Sequence, residues 1–548
     1  MSATRPNILL VLTDEERAPP PYEQAALAEF RRAQLPAHDR LAARSRSLRR
    51  HYVGSTACVP SRTTLFTGQY PSLHGAANTD GLAKQASDPG MHFLDPNTVP
   101  TMGDWFRAGG YQTHYRGKWH VSHADLLIPG THERLRTNDG DGLVDPAAVA
   151  AYRGADRLDP FGFSGWVGRE PHGIEKSDCG FVKDPIYAEQ VVALFAELAE
   201  ARDRGPWLAV ASFVNPHDIA FAGRAWDLVV GHPGPDGQVP EIAPAPSQSD
   251  SFDGRPSAQR EFFERWPVML YEQATDPEYR RLYHYLIKKV DAAIVRILDA
   301  LEASGMADDT IVVFSSDHGD LLGSHGGMVQ KWHNAFDEAL RVPMLVSGPG
   351  IDVARGDIDI ATSHVDVIPT LLGLAGIDPE AAAAHLGVAH VETQTLPGRD
   401  LSALLTGAAA QDVLDAPIYF MTEDEVSRGL RSMGIVTRET FEPVGAPAKV
   451  ESVIARLATG SGGADELWKL NQYYDRLVDW EEAHGIPQNP FLPAPADPEW
   501  ELYNLTADPE ERTNQAATGA TPMSPLRDLL ASERDAKRRL PSHRNPVP

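Results

Sequence analysis

Ser55-Thr56-Ala57-Cys58-Val59-Pro60-Ser61-Arg62-Thr63-Thr64-Leu65-Phe66-Thr67-Gly68 is the stretch on which the reading of this chain turns. It reads as a loop that enters a helix and stops at a glycine. Cys58 is one of two cysteines in 548 residues. A cysteine at such a turn, with an arginine shortly after it, has the surroundings of a low-pKa thiolate. A lone cysteine is also often a small buried thiol. The stretch alone leaves both readings open, and its neighbours decide between them.

Outward from it, short apolar runs end in polar residues. Residues 7–13 form such a run and deliver Asp14; residues 310–316 deliver Asp317 and His318; residues 207–214 deliver Asn215 and His217. Each reads as a buried parallel strand whose C-terminal end carries chemistry. Residues 341–347 read as a fourth strand. Helical spacing over 185–201 and 279–304 separates them, and this alternation predicts a mostly parallel sheet covered on both faces. Segments at about 125–180 and 221–275 read as insertions that shape a cleft or an interface. Residues 1–415 are expected to form the α/β catalytic domain. Residues 416–548 have fewer clear strands and many aromatics, and are expected to form a smaller C-terminal α+β domain. The tail from Arg527 is read either as an arm onto another subunit or as a disordered end.

Composition narrows the function classes. Hydrophobic residues are 42% and charged residues 23%, as in ordinary globular proteins. With 50 basic and 76 acidic residues the net charge is −26, which opposes binding to nucleic acid or anionic membrane. An anion site must therefore be a local basic pocket, and Arg62, Lys118 and Lys331 are candidates for it. No apolar run approaches the ~20 residues that span a bilayer. Residues 8–12 are too short for a secretory apolar region, and cleavage there would remove Asp14. A cytoplasmic location is the expectation. Two cysteines make no disulfide framework.

Asp14, Asp317 and His318 have the chemistry to meet on one ion. Carboxylates suit Ca²⁺, Mg²⁺ or Mn²⁺, and an imidazole moves the preference toward Mn²⁺. Read singly, Asp14 is equally well a helix cap and His318 a polar loop residue.

Taken together, these residues resemble the sulfatase family of the alkaline phosphatase-like superfamily. Cys58-Val59-Pro60-Ser61-Arg62 followed by Thr67-Gly68 is similar to its signature. Pro6 to Asp14 resembles its opening strand, Gly117-Lys118-Trp119-His120 its Gly-Lys-Trp-His element, and Asp317-His318-Gly319-Asp320 its second metal motif. Glu501-Leu502-Tyr503-Asn504-Leu505, with Asp508-Pro509-Glu510, resembles its C-terminal signature. The matches run in family order along nearly the whole chain.

The resemblance implies an alkaline phosphatase-like α/β fold and a sulfate monoester hydrolase. It implies that Cys58 is oxidised to formylglycine by a formylglycine-generating enzyme. One hydroxyl of the hydrated aldehyde would attack sulfur, and the second would then expel sulfate. The implied catalytic residues are Cys58, Arg62, Lys118, His120, His217 and Lys331. Arg62 would hold the nucleophile, Lys118 and Lys331 would bind sulfate, His120 would take a proton from the hydrate, and His217 would protonate the leaving alcohol. The implied ligands of one divalent cation, Ca²⁺ or Mn²⁺, are Asp14, Glu15, residue 58, Asp317 and His318. Glu15 departs from the family, which usually has Asp or Gln there, and His318 stands where other members carry Asn. His325, His333 and Asn215 are weaker candidates for a surrounding role. Phe161 to Trp166, with Arg169 and His172, are read either as an entrance or as a packed insertion.

Phosphonate monoester hydrolases share this resemblance and are often cytoplasmic and oligomeric, so a homo-oligomer is expected. Sulfate and phosphonate monoesters have the same shape and single charge, and one cationic pocket serves either. A phosphonate monoester or phosphodiester hydrolase is therefore the alternative activity. A non-catalytic anion- or metal-binding relative with an unmodified Cys58 is the third reading. A small anionic organic ester is the expected substrate.

Overall fold

The structure is a computed structural model that describes residues 5–171, 173–201, 205–458, 465–486, 494–519 and 522–542. Seven strands form the main sheet: β1 (Asn7–Asp14), β2 (Arg46–Tyr52), β3 (Gln112–Gly117), β4 (Trp207–Pro216), β5 (Thr310–Ser316), β6 (Met344–Ser347) and β7 (Ile358–Ser363). Their order is β3-β4-β1-β5-β6-β2-β7. The pairs β3–β4, β4–β1, β1–β5 and β2–β7 are parallel. β6 runs antiparallel to both of its neighbours, β5 and β2. Every expected strand is present, and the mostly parallel, doubly covered architecture holds.

β1 is apolar because both of its faces are covered. Leu9 and Val11 pack with the Gly180–Glu200 and Pro277–Ala303 helices. Ile8, Leu10 and Leu12 pack with Leu65, Phe66, Trp105 and Ile368 on the other side. Each such buried side chain stabilises the fold by about 1.5–3 kcal/mol. The Pro277–Ala303 helix starts sharply because Asp276 accepts from the Tyr279 amide at 2.9 Å and Pro277 fits the first turn.

Register places the site. Gly117 is level with Ser212, Asp14 with Pro216, and Thr13 with Ser316. The C-terminal ends of β3, β4, β1 and β5 therefore form one rim, where ligands of open α/β sheets gather.

The chain after residue 416 is more regular than its composition suggests. β8 (Ile418–Thr422), β9 (Lys449–Leu457), β10 (Glu466–Tyr474) and β11 (Glu499–Asn504) form an antiparallel sheet in the order β11-β10-β9-β8. Residues alternate between its faces. Ile418 and Phe420 join the cluster of Tyr52, Val53 and Phe336, while Tyr419 and Met421 join Leu526 and Leu530 of the Met523–Lys537 helix. The Arg-rich tail, read as an arm onto another subunit or as a disordered end, thus starts as a helix docked on this sheet. Arg534 and Arg538 tie it to Glu451 of β9 at 2.6 Å each. Residues 543–548 lie outside the described residues. Among the described residues no single helix is long and apolar enough to cross a membrane.

A buried charge triad fixes the loop after β1. His38 lies 2.9 Å from Glu16 and 2.6 Å from Asp291 of the Pro277–Ala303 helix. Burial opposes charge on the ring, but Glu16 and Asp291 outweigh it and raise His38 to about 10. We expect His38→Gln to lower stability by about 3–5 kcal/mol near pH 6 in urea unfolding, because two buried carboxylates lose their cation. The raised ring contributes fully below an unfolded-state pKa of ~6.5. Its contribution is lost as pH rises through about 10, so the gap between wild type and variant should close over that range.

Candidate active site

Arg62 assembles the site. It lies on the Cys58–Thr67 helix and is fully buried. Its Nε donates to the Trp119 carbonyl at 2.8 Å and its Nη1 to Asp317 at 3.1 Å. Its Nη2 reaches Tyr115 at 3.1 Å, Ser212 at 2.6 Å and the Lys118 carbonyl. One guanidinium thus joins the helix to the ends of β3, β4 and β5. No other side chain has a planar fork with this many donors. Ser61 adds a bond to the Asp317 carbonyl.

Cys58 begins that helix and is 2% exposed. Its Sγ lies 3.1 Å from His318 Nε2 and 3.9 Å from Asp14 Oδ1. His318 Nε2 is 3.8 Å from Asp14 and 3.7 Å from Asp317. One donor atom from each of Asp14, Cys58, Asp317 and His318 falls within 4.8 Å of the others, and all four residues are buried. His318 Nδ1 lies 3.0 Å from the Gly319 carbonyl. A carbonyl only accepts, so Nδ1 carries a proton and Nε2 is the ring nitrogen that faces the group.

Burial pushes the Cys58 thiol up to about 12, and Asp14 adds to the rise. This environment favours the neutral thiol, so the low-pKa thiolate is not supported. Burial opposes charge on Asp14 too, but Lys118, His217, His318 and Arg62 hold its carboxyl well below the usual range. Lys118 Nζ contacts Asp14 Oδ2 directly.

Lys118 and His120 stand just beyond β3. Gly117 has φ 103°, and a Cβ there would lie 1.8 Å from the Ser212 carbonyl, so only glycine lets β3 hug β4. The Lys118 amide donates to that carbonyl at 3.0 Å. His120 adopts φ 51°, and its Nε2 lies 2.9 Å from Asp80. The Trp119 and His120 amides both donate to Glu170, His120 at 2.9 Å.

Glu15 is outside the four-donor group but forms a second one with Asp14 and His217, with donor atoms within 4.8 Å of one another. Its backbone has φ 73°, and its amide donates to Asp317 at 3.1 Å. Its carboxylate lies 2.9 Å from Lys331 and 4.0 Å from His217. Burial raises Glu15 well above the usual carboxylate range, while Lys331 counteracts the rise. Lys331 is raised in turn, with Glu15 outweighing burial. Burial holds His217 well below the usual histidine range, assisted by Lys118.

The weaker candidates make contacts outside the four-donor group. His325 stacks on Phe336 at 3.6 Å and bonds Glu338 at 3.0 Å. His333 lies 3.5 Å from Glu425. Asn215 faces the start of the Gly180–Glu200 helix, where a Cβ on Gly180 would come within 2.3 Å of it. Phe161, Phe163 and Trp166 are core rather than entrance: Phe161 and Phe163 pack on Trp119 at 5.7 and 5.9 Å, and Trp166 bonds the Gly117 carbonyl at 2.9 Å. Arg169 is buried and bonds Asp178 at 2.8 Å. His172 lies outside the described residues.

Several contributors have no motif to announce them. Asp80 and Glu170 come from distant loops. Asp424, just after β8, accepts from the Ala57 amide at 3.3 Å and the Trp332 indole at 3.0 Å. It ties the second sheet to both the Cys58 turn and the Lys331 loop. The only sequence signal for these three is an acidic residue in a loop, which is too common to single them out.

The sulfatase family model matches residues 6–377. The chain is 30% identical over 401 residues to a choline-sulfatase of Rhizobium meliloti, covering 69% of each protein. Its fold is similar to that of a solved 2-O glycosaminoglycan sulfatase, with a TM-score of 0.61, 20% identity and coverage of 97% of this chain and 93% of the other. It is also similar to the phosphonate monoester hydrolase of Agrobacterium radiobacter, with a TM-score of 0.59, 21% identity and coverage of 97% and 96%. With a family model spanning more than half of its length, the chain belongs to the sulfatase family, the sulfuric ester hydrolases.

Proposed function

We propose that the chain hydrolyses small organic sulfate monoesters, aryl or alkyl, through a formylglycine made from Cys58 and with one divalent cation. The observation that supports this best is the convergence of Asp14, Cys58, Asp317 and His318 within 4.8 Å. Arg62 and Lys118 contact that group, and Lys331 approaches from the Glu15 side.

The donor set suits a cation such as Ca²⁺ or Mn²⁺, apart from its thiol. Two carboxylates and one imidazole are appropriate ligands, whereas a neutral thiol is a poor one. Conversion of Cys58 to a hydrated aldehyde replaces sulfur with oxygen and removes that mismatch. When bound, such a cation neutralises charge on the sulfate oxygens. Asp14, Asp317, His318 and residue 58 would hold it, with Glu15 beside them.

The protein side chains divide the remaining work. Arg62 orients the turn that presents residue 58. Lys118 and Lys331 face the substrate oxygens, exchanging part of their contact with Asp14 and Glu15 for sulfate. His120, oriented by Asp80, takes the proton of the second hydroxyl as sulfate leaves. His217 is the proton donor to the leaving alcohol. Its environment favours the neutral ring, so it needs the negative charge of bound ester to acquire its proton. A cytoplasmic homo-oligomer with catalytic residues 1–415 and a smaller C-terminal domain is the matching organisation.

Substrate size follows from charge. A net charge of −26 repels sulfated polymers, and a small monoanion meets less of that field. The likeness to a choline-sulfatase makes choline sulfate a natural member of a test panel, beside an aryl sulfate and a phosphonate monoester. A kcat/KM higher for the phosphonate than for every sulfate tested would reverse the assignment in favour of phosphonate hydrolysis.

Mass spectrometry of the active protein should show residue 58 as the aldehyde; fully unmodified cysteine in an active preparation would refute the mechanism. Cys58→Ser should stop after one turnover with a sulfate ester on residue 58, because serine has no second hydroxyl to expel it. Chelation should abolish turnover, and Ca²⁺ or Mn²⁺ should restore it. Lys118→Ala and Lys331→Ala should each lower kcat/KM by about 10²–10³.

A further inference from the structure

Glu170 belongs to no motif and makes an unusual set of bonds. It is 6% exposed. The Trp119 amide donates to both of its oxygens, at 3.1 and 3.2 Å, and the His120 amide donates to Oε1 at 2.9 Å. Its own amide donates to Asp125 at 2.9 Å. Among the described residues no ion pair accounts for its burial. Arg62 and Lys118 favour its charge only from a distance, and burial together with Asp125 raises it to about 7. A buried carboxylate without a paired cation is costly, and backbone amides are what offset the cost here.

Those two amides belong to the segment that carries the substrate-facing residues. Three other backbone groups of that segment are taken: the Lys118 amide bonds Ser212, the Lys118 carbonyl accepts from Arg62 and Tyr115, and the Trp119 carbonyl accepts from Arg62. Among the described residues Glu170 receives the next two amides, those of Trp119 and His120. His120 holds a left-handed φ of 51°, which a non-glycine residue adopts only when its surroundings enforce it. The same turn sends Lys118 toward Asp14 and His120 toward Asp80.

We infer that Glu170 is a positioning residue for the reaction, its carboxylate holding the Trp119 and His120 amides so that Lys118 and His120 point into the site. The inference rests on the proposed roles of Lys118 and His120, although the contacts themselves do not. It gives the segment at 125–180, read as an insertion, a specific task in the catalytic centre.

The test uses the full-length chain with formylglycine and metal content measured, and an aryl sulfate as substrate. Glu170→Ala should lower kcat by about 100-fold, the size of loss a small misplacement of reacting groups produces, with KM changed by less than about threefold. Glu170→Gln keeps one oxygen able to accept both amides and should recover kcat to within about tenfold of wild type. Rates are taken per folded chain, well below each variant's Tm, so lost stability does not pass for lost positioning. Wild-type kcat in Glu170→Ala, or equal damage in Glu170→Gln and Glu170→Ala, would overturn the inference. Lys118→Ala and His120→Ala run in parallel separate the two levels. If both are inactive while Glu170→Ala is wild type, only the role of Glu170 falls; if both turn over normally, the reading of the site falls and this inference with it.

Discussion

The buried guanidinium of Arg62 is the constraint on which the site depends. Isolated in the interior, a charge of this kind would be strongly destabilising. Here its donors meet Asp317, the Trp119 and Lys118 carbonyls, Tyr115 and Ser212. The arrangement is satisfied only if β3, β4, β5 and the Cys58–Thr67 helix hold their present places. Arg62 therefore converts four separate strand and helix ends into one object with Cys58 at its edge. Lysine has no planar fork and cannot reproduce this.

Around that object, buried acids meet buried cations, and burial favours the neutral form of Glu15. Asp14, Asp317 and Glu15 face Lys118, Arg62 and Lys331. A strongly acidic protein thus presents a locally compensated pocket, and the wider field is screened beyond a Debye length of about 8 Å at physiological ionic strength. This resolves the conflict between a net charge of −26 and an anionic substrate. Glu15 pairs with Lys331 and also lies beside Asp14 and His217.

Much of this was legible in the sequence, for physical reasons. β1, β4 and β5 are buried on both faces, so they appear as uninterrupted apolar runs, and the residues at their ends stood out. β2, with the sequence Arg-Ser-Leu-Arg-Arg-His-Tyr, did not, because Arg49 and Arg50 interrupt its apolar pattern and pair with Asp357 and Asp359 beside the neighbouring strand. The strands of the second sheet were obscured by polar residues turned inward. Glu451, Lys469, Asn471 and Glu501 are all buried, and each is satisfied by a partner distant in sequence. The direction of β6 depends on pairing, which a single strand does not encode. The aromatic run from Phe161 to Trp166 suggested an entrance or a packed insertion, and its packing on Trp119 decides for the second. Asp80, Glu170 and Asp424 were invisible because their importance comes only from what the fold brings to them.

The central claim is that four side chains from three distant segments share one cation. Anomalous diffraction at the manganese edge from crystals grown with Mn²⁺ tests it most directly. One strong peak is expected about 2.0–2.6 Å from oxygen or nitrogen atoms of Asp14, Asp317, His318 and residue 58. A peak bound elsewhere, with those four residues holding none, would contradict it.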